Sequence, residues 1–150
     1  MGILANLTDE IKTAMRAKDS LKLEALRAIK SAVMLEQTAT GGSDTLSDEQ
    51  EIKLVQKLVK QRKDSAQIFR EQNRPDLAEP EEAQAQVIAQ FLPEQLSEEE
   101  ITAIIQSIIE KTGASGMKDM GKVMGMASKE MAGKADGKTI STVVKAQLNS

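Results

Sequence analysis

The sequence predicts an all-α protein in two parts: a helical N-terminal domain of about four helices over residues 1–92 and a small three-helix C-terminal domain over residues 93–150. Three observations carry that prediction. Apolar residues recur at the three-to-four-residue interval of a helix from one end of the chain to the other, and no segment alternates as a strand does. Aromatic residues, which strands favour, are confined to Phe69 and Phe91, so the interior has to be filled by aliphatic side chains and Met. The connector Phe91-Leu-Pro-Glu-Gln-Leu-Ser-Glu-Glu-Glu-Ile101 ends one helix at Pro93 and opens another at Ser97. Proline disfavours helical geometry in the residue before it, and Ser-x-x-Glu caps a new first turn.

The elements follow in order. Leu4, Leu7, Ile11, Ala14 and Met15 repeat at the helical interval, and Lys18-Asp19-Ser20 supplies a break and a new N-cap. A second helix is expected from about Ser20 to Thr38, with Leu26, Ile29 and Val33 on its stripe and Thr40-Gly41-Gly42 as its end. Ser47-Asp48-Glu49-Gln50 is a capping box, and Ile52, Val55, Val59, Ala66 and Phe69 carry a long third helix to about Gln72. Asn73-Arg74-Pro75-Asp76 breaks it. Pro80 fits the first turn of a fourth helix whose inner face would be Ala83, Val87, Ile88 and Phe91. Beyond the connector, Ile101, Ile104, Ile105, Ile108 and Ile109 form a stripe ending near Gly113. A sixth helix carries Met117, Met120, Val123, Met124 and Ala127, and a seventh, capped by Asp136 after Gly133 ends its predecessor, carries Ile140, Val143, Val144 and Leu148.

Composition excludes several chemistries. The chain has no Cys and no His, which removes disulfides, thiol nucleophiles, imidazole bases and the usual nitrogen and sulfur metal ligands. No metal site, cofactor or catalytic residue is therefore expected. No segment approaches the roughly 20 apolar residues that span a bilayer, and the first residues lack a secretory pattern, so the expectation is a cytoplasmic chain without a membrane partner. The acidic clusters Glu81-Glu82 and Glu98-Glu99-Glu100 fall in first turns, where the helix dipole favours negative charge. Gly133-Lys-Ala-Asp-Gly-Lys-Thr139 is not a phosphate-cradling loop. Its required first glycine would fall at Ala132, and a helix precedes it instead of a strand.

Charge is distributed unevenly beneath a net of −3. Residues 111–150 hold seven lysines against three carboxylates, a local net of +4. A second basic strip, Lys53, Lys57, Lys60, Arg62, Lys63, Arg70 and Arg74 against Asp64 and Glu71, lies in the third helix and the break after it. By charge alone both are solvated polar faces. As binding surfaces they would meet phosphates, and without aromatics to stack bases any RNA contact has to read backbone and shape. Gly121 and Gly125 share one helical face, at a cost of about 1 kcal/mol each relative to Ala. A neighbouring helix packed closely against them is the expected compensation, and approach of a nucleic-acid backbone between Lys118 and Lys122 is the alternative.

Lys60-Gln-Arg-Lys-Asp-Ser65, Asn73-Arg74 with Asp76-Leu77, the connector from Phe91 to Glu100, Met117-Lys-Asp-Met-Gly-Lys-Val-Met124 and Gly133-Lys-Ala-Asp-Gly-Lys138 together resemble the YqeY-like family. The C-terminal half is similar to the GatB/YqeY domain that forms the tail of one component of the aspartyl/glutamyl-tRNA amidotransferase. That resemblance implies an all-helical two-part fold and a non-catalytic role in binding tRNA or accompanying the amidotransferase. The candidate nucleic-acid contacts are Lys118, Gly121, Lys122, Gly125, Lys129, Lys134 and Lys138, with Lys57, Lys60, Arg62 and Lys63 as the second strip. The alternatives are an adaptor that grips an amidotransferase component or another cytosolic protein through Met117, Met120, Met124 and Met126, and a carbon–nitrogen ligase with glutamine as amide donor. No segment matches the catalytic parts of that enzyme.

Overall fold

The computed structural model describes residues 2–39, 41 and 45–149. Among them are seven α-helices and no strand: α1 (Leu7–Ala17), α2 (Ser20–Ala39), α3 (Asp48–Glu71), α4 (Pro75–Ala89), α5 (Glu98–Thr112), α6 (Met120–Glu130) and α7 (Gly137–Leu148). A single 3₁₀ turn, Met117–Asp119, leads into α6. The chain divides into two compact units, Met1–Pro93 and Glu94–Ser150. Gly41, at φ 108°, follows α2, whereas Thr40 and Gly42 of the expected helix end lie outside the described residues.

In the N-terminal unit α4 packs along α3 and against α2, and α1 packs on α2. The core is Leu7, Ala14, Ala25, Leu26, Ile29, Val55, Leu58, Val59, Ala85 and Ile88, with Leu4 from the turn before α1. Each large aliphatic side chain removed from water here contributes about 1.5–3 kcal/mol. Helix starts are where short side chains predict them. The Ser47 hydroxyl accepts from Gln50 N–H at 3.2 Å while Gln50 Oε1 accepts from Ser47 N–H at 2.8 Å. Asp19 Oδ1 accepts from Lys22 N–H at 3.1 Å and so caps α2.

Three expectations for this unit need correction. Pro75, not Pro80, takes the first turn of α4, and Pro80 lies inside the helix. The reason is the turn before it. Asn73 takes the left-handed conformation at φ 59°, Arg74 N–H reaches back to Phe69 C=O at 2.7 Å, and Asn73 N–H reaches Arg70 C=O at 3.0 Å. This Schellman closure of α3 leaves Pro75 pre-set for the next helix. Pro80 then removes the N–H that would have reached the Asp76 carbonyl, on a face open to water. The inner face of α4 is also rotated. Ala78, Gln84, Ala85 and Ile88 are buried, and Ala83, Val87 and Phe91 are only half-buried. Gln84 is tolerated inside because its Oε1 accepts from Arg62 Nε at 3.1 Å. On α1, Met15 turns outward, 53% exposed.

The C-terminal unit is a three-helix cluster in which α6 and α7 pack on each other and both pack on α5. Ile101, Ile105, Ile108, Val123, Ala127, Met131, Ile140, Val143, Val144 and Leu148 form its core. Ser97 and Glu100 build the second capping box, with Glu100 N–H to Ser97 Oγ at 3.2 Å and Ser97 N–H to Glu100 Oε1 at 3.0 Å. Gly113, at φ 66°, ends α5. The Asp136 carboxylate accepts from Thr139 N–H at 2.7 Å at the start of α7. α6 stops at Glu130, earlier than Gly133: Met131, fully buried, leaves helical geometry at φ −103°, and Lys134 N–H closes a turn onto Met131 C=O at 2.9 Å with Gly133 left-handed at φ 77° inside it.

Candidate nucleic-acid interface

α6 is held to the C-terminal core by Val123 and Ala127, so residues half a turn away must face outward. Gly121, Lys122, Gly125, Met126 and Lys129 are exposed, and Lys118 is exposed on the 3₁₀ turn just before. Spacings of three and four residues place them along one side of the helix. A Cβ added at Gly121 or Gly125 would meet nothing within 4 Å. The expected close packing of a neighbouring helix is therefore absent among the described residues. Neither glycine has a positive φ, so backbone geometry does not require them either. The result is a bare stretch of helix backbone flanked by lysines.

The turn after α6 is tied to the connector. Leu96 N–H donates to Lys134 C=O at 2.9 Å, and Gln95 Nε2 donates to Gly133 C=O at 2.8 Å. Lys134 projects from this anchored turn, and Lys138 lies in the first turn of α7; both are exposed. Among the described residues, no ion pair within 4.0 Å involves Lys118, Lys122, Lys129, Lys134 or Lys138. These ammonium groups are left to solvent and to whatever anion approaches.

The strip on α3 is partly neutralised. Arg70 Nε donates to Glu82 Oε1 at 2.8 Å, and that bond together with the charge of Glu82 holds its guanidinium above the usual range. Arg74 makes a two-pronged contact with Asp76 at 3.1 and 3.0 Å; the hydrogen bond and charge lower the Asp76 carboxyl and raise the guanidinium. Arg62 is half-buried, bound to Gln84 and 4.0 Å from Glu81. Lys53 pairs with Glu49 at 3.1 Å. Lys57, Lys60 and Lys63 remain exposed with no ion pair among the described residues. Lys53–Glu49 and Arg74–Asp76 are local pairs, four and two residues apart, whereas the partners of Arg62 and Arg70, Glu81 and Glu82, come from α4 and are not given by spacing.

The methionines of the expected Met face divide. Met120 and Met124 pack against the C-terminal core, whereas Met117 and Met126 are 44% and 42% exposed. Among the described residues no group of three or more carboxylates could hold a metal ion, and no helix is long and apolar enough to cross a membrane. One surface that the periodicity does not announce is a groove between α2 and α3, marked by an exposed Leu35 that the second-helix stripe does not include.

These features define an all-helical chain of two units that presents cationic faces on α3 and on α6 with the turn after it. Residues 4–148 match the model of the family described as Yqey-like protein, and the chain belongs to that family. Its sequence is 35% identical over 108 residues to altered inheritance of mitochondria protein 41, mitochondrial, of Lachancea thermotolerans, covering 71% of this chain and 57% of that one. The protein of the same name from Pyrenophora tritici-repentis is 30% identical over 135 residues, 89% of this chain and 73% of the relative. The chain thus spans little more than half the length of the first of these. A component of the glutamyl-tRNA(Gln) amidotransferase of Thermococcus gammatolerans is 38% identical over 73 residues, 46% of this chain and 12% of that relative. This relative is part of a glutamyl-tRNA(Gln) enzyme, whereas the motif resemblance was to the aspartyl/glutamyl-tRNA one. The expectation of a cytoplasmic chain is corrected by these comparisons, because the relatives matched over most of this chain are mitochondrial by name. Composition reports on bilayer spans and secretion, and it does not distinguish one aqueous compartment from another.

Proposed function

We propose that this chain is a non-catalytic tRNA-binding protein, or an accessory of a tRNA-dependent amidotransferase, that meets RNA through the exposed side of α6 and the turn that follows. The observation that carries this is the pair of unpacked glycines on the exposed side of α6, Gly121 in its first turn and Gly125 in its interior, among unpaired lysines. Bare backbone allows a sugar–phosphate chain to come close, and Lys118, Lys122, Lys129, Lys134 and Lys138 supply the phosphate contacts. Similarity to part of a glutamyl-tRNA(Gln) amidotransferase supports the choice of tRNA. Lys57, Lys60 and Lys63 form a second cationic row.

Filter binding with bulk tRNA over a salt series tests the proposal. Each phosphate contact on duplex contributes about −0.9 to the slope of log affinity against log salt, so five lysines give a slope of about −4 to −5. Changing the five lysines to alanine flattens that slope. Absence of retention at low salt, or a slope unchanged by the substitutions, overturns the proposal. Exposed Met117 and Met126 favour an adaptor as the second reading. Binding of an amidotransferase component that is lost on changing these two methionines to serine, with tRNA retention absent, would select it.

A further inference from the structure

The groove between the C-terminal half of α2 and the N-terminal half of α3 has a volume of about 500 Å³. Ala32, Leu35, Leu54 and Leu58 line its apolar part, and Lys53 and Lys57 stand on its α3 side. α2 buries Ala25, Leu26 and Ile29 in its first half, and none of its later residues is fully buried. Leu35 is 72% exposed and Met34 58%, the two most exposed large hydrophobic residues among those described. Leu35 lines the groove beside Leu54 and Leu58, Met34 is its neighbour in sequence, and an exposed leucine contiguous with other apolar side chains marks a face that another apolar surface can cover.

We propose that this groove is a docking site for an amphipathic helix of a partner protein, with its apolar ridge on Leu35, Leu54 and Leu58 and an acidic flank toward α3. Charge complementarity sets the flank. Lys57 and, one turn on, Lys60 have no carboxylate within 4.0 Å among the described residues, and the Lys53–Glu49 pair is largely exposed and easily exchanged. The α3 wall runs from Gln50 to Gln61, about 16 Å at 1.5 Å per residue, which accommodates three helical turns with anchors at i, i+4 and i+7. Lys57 and Lys60 can meet phosphates, but Ala32, Leu35, Leu54 and Leu58 offer a sugar–phosphate chain no side-chain donor, so the groove itself suits an apolar ridge better than RNA.

The test uses the full chain, amide chemical-shift titration, and two synthetic amphipathic helices with the same leucine ridge, one flanked by Glu and its twin by Lys. The Glu-flanked helix should give saturable shifts confined to residues 32–36 and 50–61. Leu35→Ser, at an exposed site that does not threaten folding, should weaken it by about tenfold while leaving tRNA retention unchanged. Lys57→Glu should weaken the Glu-flanked helix and strengthen its twin. Equal binding of the two twins, shifts outside the groove, or groove shifts that grow with protein concentration alone, which would place a second copy there, overturn the proposal. Because Leu35 has no part in the α6 face, failure here leaves the RNA proposal standing, and the reverse is equally true.

Discussion

Gln50 and Glu100 occupy the same position in two capping boxes, but only Glu100 carries a titratable group. The Ser97 backbone N–H, followed by the Ser97 side chain, holds the Glu100 carboxyl below its ordinary value. A carboxyl lowered in the folded state stabilises fully above its unfolded pKa, and that contribution disappears as pH falls through the lowered folded value. The Ser97 amide resonance should therefore titrate at acid pH with a midpoint below the usual glutamate range, the Ser47 amide should not follow it, and Glu100→Gln should abolish the transition. A Ser97 titration at or above the ordinary value would contradict this. Both caps were legible in advance, because Ser-x-x-Glu/Gln is a local pattern whose partners lie three residues apart. Gln84 was not legible. Its burial depends on Arg62, which lies 22 residues away in sequence.

At the scale of elements, the α3–α4 turn shows which part of a boundary can be read locally. Asn73-Arg74-Pro75 announces a break, yet the choice between Pro75 and Pro80 as helix start depends on Asn73 entering the left-handed region and closing the Schellman bonds. Asn accepts that conformation more readily than other residues with a Cβ. Asn73→Gly should leave the urea midpoint of unfolding unchanged or slightly raised, and Asn73→Ala should lower stability by about 1 kcal/mol. Pro80→Ala restores a donor toward Asp76 and should stabilise the N-terminal unit by about 1–3 kcal/mol, read by the same measurement. A loss of stability in Pro80→Ala would mean that the proline's fixed backbone angle is needed for α4 to follow α3. The α2 stripe was read correctly at Leu26 and Ile29, but periodicity cannot reveal that burial fades in the second half of the helix, because that depends on what α3 and α4 cover.

For the whole molecule, an acidic chain of net −3 still presents cationic faces because its carboxylates are used elsewhere. Glu100 and Asp136 cap helices, while Glu81, Glu82 and Asp76 meet the arginines of α3 and the turn after it. The lysine surplus of the last forty residues could be counted from the sequence; that Arg62 and Arg70 keep partners required the tertiary arrangement of α3 and α4. The unpacked glycines separate a stability role from a binding role most directly, and the double substitution Gly121→Ala, Gly125→Ala isolates the difference. There is room for both methyl groups, so the helix should gain up to about 1 kcal/mol at Gly125, in its interior, and less at Gly121, in its first turn. Measured together by thermal unfolding and tRNA filter binding, the double variant should be more stable than the parent and at least about tenfold weaker for tRNA. A variant that gains stability and retains tRNA as tightly as the parent would show that no backbone approaches this face.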